Sequence, residues 1–318
     1  MKKISIITQN NDSSILRQTP QKNGIWNGCL FKINEFEDFD YAIVINYLNQ
    51  DLKIKKYNKA WLLIQEPYIE NLYEWVLNDH ENYSRILTHH IPENNSLNYT
   101  LCPPLLPWYI NKSYEELKIL KPFEKEKMVS SIASNKRMFF GHKRRYEFIQ
   151  YLLRQSIIDV DVYGRGINQI DNKWDGLAPY KYSFAVENTS KENYWTEKIF
   201  DPFLSYTVPI YFGCTNISDY FPKDSYIDFD INFPEKSIEK VHDLLLDPED
   251  YYARLPALIK ARNLVLEKYN FFAYISQLVS TDDEIQNDNN PCETILKKYH
   301  PSLKSKLITG SGKIIKYW

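Results

Sequence analysis

Residues 182–212 read YSFAVENTSKENYWTEKIFDPFLSYTVPIYF, and the way this stretch folds decides the architecture. An apolar run from Tyr182 to Val186 ends at Glu187-Asn188. A polar loop follows, Glu197-Lys198 opens a helical segment, and residues 208–212 form a second apolar run that stops at Gly213. Short apolar runs bounded by turn residues read as buried strands. Two of them joined through a helix make a crossover unit of a parallel sheet, whose ligand crevice lies at the carboxyl ends of the strands. Glu187, Asn188 and the start of the helix at Glu197 fall at that end.

Working outward, residues 3–8, 41–46, 60–65 and 85–89 read as strands, with a helical pattern over 71–76. Prolines 103, 104 and 107 then interrupt regular structure, and the charged stretch 112–127 reads as an exposed connector. A boundary is expected near residue 125. Beyond it, a strand over 128–133, a helix over 143–153 and a strand over 160–163 running into Gly164-Arg165-Gly166 make a nucleotide-binding layout, although a lone GxG is common. Helical periodicity is nearly continuous over 238–279, and one of these helices is a candidate to cross back over the first domain. The segment from residue 280 reads as a polar, exposed tail.

A chain of 318 residues has room for two domains, each with its own core. The formal charge of −2, with basic and acidic residues nearly balanced, argues against a general nucleic-acid binder and leaves a small molecule or a carbohydrate as the substrate. The 25 tyrosines include potential platforms for sugar faces, but most rings in a chain of this size fill cores. Cys29, Cys102, Cys214 and Cys292 form no CxxC or Cys/His cluster of the kind zinc needs, and they read as reduced thiols of a cytosolic protein. The start, MKKISIITQN, carries an apolar run too short for a signal peptide or a membrane span, so a cytoplasmic location is expected.

The order Glu187-Asn188, Tyr194, Thr196-Glu197-Lys198, Pro209-Ile210-Tyr211 and Gly213 closely resembles the donor-binding signature of glycosyltransferase family 10, the α-1,3/4-fucosyltransferase family, in its bacterial form. The resemblance covers roughly residues 139–230 and is much thinner before them. It implies an α/β GT-B fold, two Rossmann-like domains with a cleft between them: an acceptor domain over 1–125, a donor domain over 126–280 and a polar tail over 281–318. It implies an inverting, metal-independent α-1,3-fucosyltransferase that moves L-fucose from GDP-fucose to a hydroxyl of a surface glycan such as lipopolysaccharide or capsule. The acceptor would still be lipid-linked, which leaves room for peripheral contact with the cytoplasmic face of the inner membrane. No cofactor is expected beyond the donor. The rivals are the same fold acting on another nucleotide sugar, and a catalytically silent nucleotide- or glycan-binding protein.

A nucleotide-sugar transferase must hold a diphosphate, stabilise the charge that builds as it leaves and deprotonate the acceptor hydroxyl. Lys198 and Arg165 are the expected phosphate cations, one a mobile point charge and the other a bidentate fork, helped by N–H groups at the helix start. Taken alone, Lys198 reads rather as a solvated helix residue and Arg165 as a surface turn residue, and the resemblance reverses that preference. The resemblance assigns Glu197 to donor hydroxyls, those of the ribose, and Tyr194 and Asn188 to donor contact; Glu187 either contacts the donor or caps the following turn. Pro202 should kink or end the helix.

Glu66, directly after the apolar strand at 60–65, is the expected base, with His89 and His90 as rivals and helix capping as its other reading. The run Gly141-His142-Lys143-Arg144-Arg145 reads as a solvated helix start rather than a second anion site. No DxD pair stands where a donor metal would need it: Asp159-Val160-Asp161 starts a strand and Asp228-Phe229-Asp230 follows one.

Overall fold

The computed structural model describes residues 1–55, 57–68, 79–93, 97–133, 140–284 and 293–300. The helix expected over 71–76 and Cys292 lie outside them. The chain divides into two compact units, one formed by Met1–Leu105 together with the segment from Phe272 onward, the other by Leu106–Phe271.

In the first unit, β1 (Lys2–Ile7), β2 (Ile25–Trp26), β3 (Cys29–Ile33), β4 (Tyr41–Ile45), β6 (Lys59–Leu63), β7 (Arg85–Thr88) and β8 (Tyr99–Leu101) form a seven-stranded sheet in the order β2-β3-β1-β4-β6-β7-β8. Every pairing is parallel except β2 with β3. The central strand β4 is buried along its whole length, as expected for a parallel sheet covered on both faces.

The described residues after 280, 281–284 and 293–300, do not form a free polar tail. The helix α6 (Phe271–Glu284) returns to this unit, Phe272 packing edge-on against Phe31 at 5.0 Å. The strand β14 (Thr294–Leu296) then pairs antiparallel with β5 (Leu52–Ile54), and Leu296 joins a core with Leu52 and Ile54. The apolar residues that do this are too few to stand out against the polar sequence around them. Asp282, near the end of α6, fixes the return. Its carboxylate takes Lys59 at 2.6 Å, Arg85 at 2.8 Å and the Tyr41 hydroxyl at 3.0 Å, which ties the helix to β4, β6 and β7.

The second unit is a five-stranded, wholly parallel sheet in the order β10-β9-β11-β12-β13, built from β9 (Lys127–Ile132), β10 (Asp161–Tyr163), β11 (Tyr180–Val186), β12 (Val208–Phe212) and β13 (Ile227–Asp228). Helix α2 (Phe140–Leu152) follows β9, and α3 (Glu197–Leu204) makes the crossover from β11 to β12. The long helical pattern after residue 238 resolves into α4 (Pro234–Leu245), α5 (Asp250–Glu267) and α6.

The charged stretch 112–127 belongs to this unit and is not a solvated connector. Ser113 caps α1 (Tyr114–Ile119) in a reciprocal box with Glu116, and Leu117 is fully buried. Lys125 is also buried, donating to the carbonyls of Ala178 and Ser205 at 2.6 and 2.7 Å; burial pulls its pKa down to about 7. The division at Leu105/Leu106, rather than near residue 125, follows from these ties. Cys29, Cys102 and Cys214 are buried. Among the described residues, no helix is long and apolar enough to cross a membrane.

Truncating Asp282 should leave two half-buried cations without their shared carboxylate. Asp282→Ala is expected to lower the unfolding free energy by about 2 kcal/mol, less than for a fully buried pair because Lys59 is partly solvated. Urea unfolding checks it, and an unchanged midpoint would show that the return of α6 does not depend on this carboxylate.

Candidate active site

The site is built where β9, β11 and β12 end, at the carboxyl edge of the second unit's parallel sheet. Glu187 follows β11 directly and is almost completely buried. Its backbone N–H continues the ladder to the Phe212 carbonyl. Its carboxylate accepts from the Thr196 backbone N–H at 2.8 Å and from the Thr196 hydroxyl, which lies 2.8 Å from both oxygens. Thr196 is the N-cap of α3. Glu187 therefore caps the turn, as one of its two sequence readings had it, and positions the helix start. Gly213 makes room for it: a Cβ there would lie 2.4 Å from Glu187 Cγ.

Lys198 reaches back into the same cluster, its ammonium 3.2 Å from Glu187, 3.3 Å from Glu197 and 2.9 Å from the Thr196 hydroxyl. Burial disfavours its charge, but the two carboxylates more than offset this and its pKa is raised, so it is a cation at any physiological pH. Glu197 is held at about 2: burial works against its charge, and Lys198 and Lys173 overcome it. Lys198 is thus neither a solvated helix residue nor unpartnered. Tyr194 is buried just ahead of the cap. The loop before it is pinned by a reciprocal amide pair, Asn193 N–H to Asn216 Oδ1 at 2.8 Å and Asn216 Nδ2 to Asn193 Oδ1 at 2.9 Å, with Asn193 in the left-handed region at φ 60°.

The second cation of the cluster is Arg145, not Arg165. Gly141 in the first turn of α2 lies against the carbonyl of Asn188, where a Cβ would come within 1.6 Å of the oxygen. One turn later Arg145 is buried and donates to Asn188 Oδ1 at 2.5 Å. Burial lowers the Arg145 pKa against the opposing fields of Glu187 and Glu197. The basic run at 141–145 is therefore only partly a solvated helix start. Lys143 faces solvent beside Glu147, whereas Arg145 points inward. The sequence signal was available, since Gly141 and Arg145 sit at i, i+4 on one helix face. Arg165 follows Gly164, itself pressed onto the Ala133 carbonyl at φ 137°, and is exposed with no hydrogen bond or ion pair among the described residues.

Pro202 lies inside α3, which continues to Leu204 before it ends. In the first unit, Glu66 is buried just past β6, and its charge adds to burial in pushing the Tyr47 hydroxyl up to about 12. His89 Nε2 accepts the Tyr68 N–H at 3.1 Å, which occupies the lone pair a base would use. His90 is exposed and stacks on Tyr68 at 4.1 Å.

Residues 122–255 match the family described as Glycosyltransferase family 10 (fucosyltransferase) C-term. It is this segment, less than half of the chain, that is similar to glycosyltransferase family 10. The family 10 segment contains Arg145, Glu187, Asn188, Tyr194, Glu197 and Lys198, and Glu66 lies outside it. The chain is 48% identical over 52 residues to the α-(1,4)-fucosyltransferase of Arabidopsis thaliana, covering 16% of this chain and 13% of that protein. It is 38% identical over 58 residues to the α-(1,3)-fucosyltransferase of Helicobacter pylori, covering 18% and 12%. The matched segments are thus a small part of those relatives' lengths. A crystal structure of an α1,3-fucosyltransferase superposes with a TM-score of 0.55 at 19% identity, over 91% of this chain and 92% of that one. Together with the two parallel-sheet units, this makes the fold GT-B.

One further carboxyl of the family 10 segment titrates unusually. Asp201 is wholly buried and its pKa is pushed up to about 6, burial outweighing the attraction of Lys173. A folded-state value above the unfolded one means that the native protein takes up this proton first. The stabilising contribution is then fully present below the unfolded value of 3.8 and is lost as pH rises through about 6. Relative to Asp201→Asn, wild type should gain on the order of 3 kcal/mol as pH falls from about 7 to about 4. Urea unfolding of both proteins across that range measures the difference, and a gap that does not change with pH would contradict it.

Proposed function

We propose that this chain is an inverting fucosyltransferase of the α-1,3 type, transferring L-fucose from GDP-fucose to a hydroxyl of a surface glycan such as lipopolysaccharide or capsule. The observation that carries the reading is the pair of fixed cations, half-buried Lys198 and buried Arg145, at the sheet's carboxyl edge and the start of α3. Cations held in place by carboxylates and an amide are suited to a diphosphate: they stabilise the charge that develops as GDP leaves, without reorganising when it does. In this reading Arg145 supplies the fork that Arg165 was expected to supply, and Arg165 is left as an exposed contact at the rim. Glu197, ionised beside Lys198, accepts from the ribose hydroxyls, and Asn188 and Tyr194 complete the donor contacts. Because the protein's own cations carry the phosphate charge, no metal ion is needed.

Inversion at the anomeric carbon requires attack from the face opposite the leaving nucleotide, and a base must take the acceptor proton as the bond forms. Glu66 is that base. Its support is chemical: it is a buried carboxylate at the end of a parallel strand, whereas the acceptor nitrogen of His89 is already engaged. The acceptor glycan is taken as lipid-linked at the cytoplasmic face of the inner membrane.

Thermal-shift measurements against GDP-, UDP-, CMP- and dTDP-sugars test the donor, since a ligand that binds only the folded state raises its stability. A selective shift with GDP-fucose that survives EDTA is expected. A shift with a different nucleotide sugar would overturn the donor, and loss of the shift in EDTA would overturn metal independence. Glu66→Gln should lower kcat by about a thousandfold with donor binding retained. Lys198→Ala should weaken donor binding and kcat together, each by tenfold or more as an order of magnitude. Unaltered turnover in Glu66→Gln removes Glu66 from the mechanism, and normal donor affinity in Lys198→Ala removes Lys198 from the phosphate site.

A further inference from the structure

The helix that carries Glu197 and Lys198 is short, and its own backbone does not fully secure its first turn. Pro202 has no N–H to give the Lys198 carbonyl, so the i→i−4 ladder is interrupted in the turn that presents both side chains. What holds that turn from the front is the Thr196 cap on Glu187. Behind it lies a second tie that donor recognition, as proposed above, does not use. Asp201, four residues after Glu197 and on the same flank of α3, is completely buried. One oxygen takes Lys173 at 2.6 Å and the other accepts the Tyr109 backbone N–H at 3.2 Å.

Lys173 is itself firmly placed. It opens the short turn Lys173–Gly176, capped by Asn172, whose Oδ1 accepts the Trp174 N–H at 3.0 Å. Gly176 seats this turn on the end of β9: a Cβ there would lie 2.9 Å from Ile132 Cδ1 and 2.8 Å from Ile170 Cδ1. From this position the Lys173 ammonium also acts on Glu197, where with Lys198 it keeps the carboxyl ionised. Burial of Asp201 works against its charge more strongly than Lys173 favours it. Buried pairs of that kind are better explained by the geometry they impose than by the energy they add.

We propose that the Lys173–Asp201 pair is a latch on the first turn of α3, and that Lys173 is thereby a positioning residue that sets Glu197 for the donor. The inference rests on the donor reading above for its functional consequence, and on the contacts of Lys173 and Asp201 for the latch. A merely structural pair would change stability alone. A latch instead changes how well the ribose side of the donor is held while leaving the chemical step as it was, so its loss should raise the donor KM and spare kcat.

The test uses the full chain with Lys173→Met and Lys173→Arg. Donor affinity is measured by calorimetry with GDP and with GDP-fucose, transfer by steady-state kinetics, and backbone protection of residues 199–201 by amide hydrogen exchange. Lys173→Met should weaken GDP binding and raise the donor KM by about tenfold, with kcat within about twofold of wild type, and Lys173→Arg should restore both. Should Lys173→Met fail to fold, Lys173→Gln, which keeps the polarity without the charge, is measured in its place with the same expectation. Donor affinity within about twofold of wild type in the uncharged variant overturns the proposal. If the wild-type chain binds neither GDP nor GDP-fucose, the donor reading has failed, and the latch is judged on exchange alone. Faster exchange at 199–201 in the uncharged variant then supports it, and unchanged exchange overturns it.

Discussion

The contact on which the candidate site depends is the buried carboxylate of Glu187 closing on Thr196 and Lys198. A carboxylate this deep is costly unless its oxygens are fully engaged. Here they are, by one backbone N–H, one hydroxyl and one ammonium. Since Glu187 is the first residue past β11 and Thr196 is the cap of α3, the same contact that satisfies the charge fixes the angle at which the helix leaves the sheet. Gly213 is required for it, and so is the parallel pairing of β11 with β12 that brings Gly213 alongside. Replacing Lys198 would remove the cation that Glu187 and Glu197 share, so stability and the proposed phosphate recognition are expected to be coupled at this residue.

Around that contact the second unit gathers three cations and three carboxylates: Arg145, Lys173 and Lys198 with Glu187, Glu197 and Asp201. Their charges balance, which lets the cluster persist without a ligand, and their titration differs with surroundings. Glu197, between two ammonium groups, is held ionised, while burial pushes the carboxyls of Asp201 and Glu187 up. A site that must receive a diphosphate benefits from cations already fixed in place, because the cost of ordering them is met on folding rather than on binding.

Much of the site was legible because it is local in the chain. Glu187, Asn188, Tyr194, Glu197 and Lys198 lie within one crossover, and strand, cap and helix signals are strong there. Arg145 carries no local signal of its partner, because Asn188 is 43 positions away and the basic run beside it resembles any solvated helix start. Arg165 stands in a glycine turn that reads as a phosphate loop in sequence, and in the structure Gly164 lies against the Ala133 carbonyl. The stretch 112–127 looked like a connector because its charges outnumber its apolar residues, yet Leu117 and the Lys125 stem are what it buries.

The amino-acid sequence by itself determined the α/β class, most strands of both sheets and the polar crossover, because period-based burial and turn chemistry act within short windows of chain. Only the tertiary structure decided that the units divide at Leu105, that α6 and β14 return to the first unit, that Arg145 rather than Arg165 enters the cluster, and that Lys173 meets Asp201. These depend on close approaches between distant segments, set by the absence of a Cβ at Gly141 or Gly176 and by the need of each buried charge for a partner. Neither requirement leaves a periodic trace in the chain.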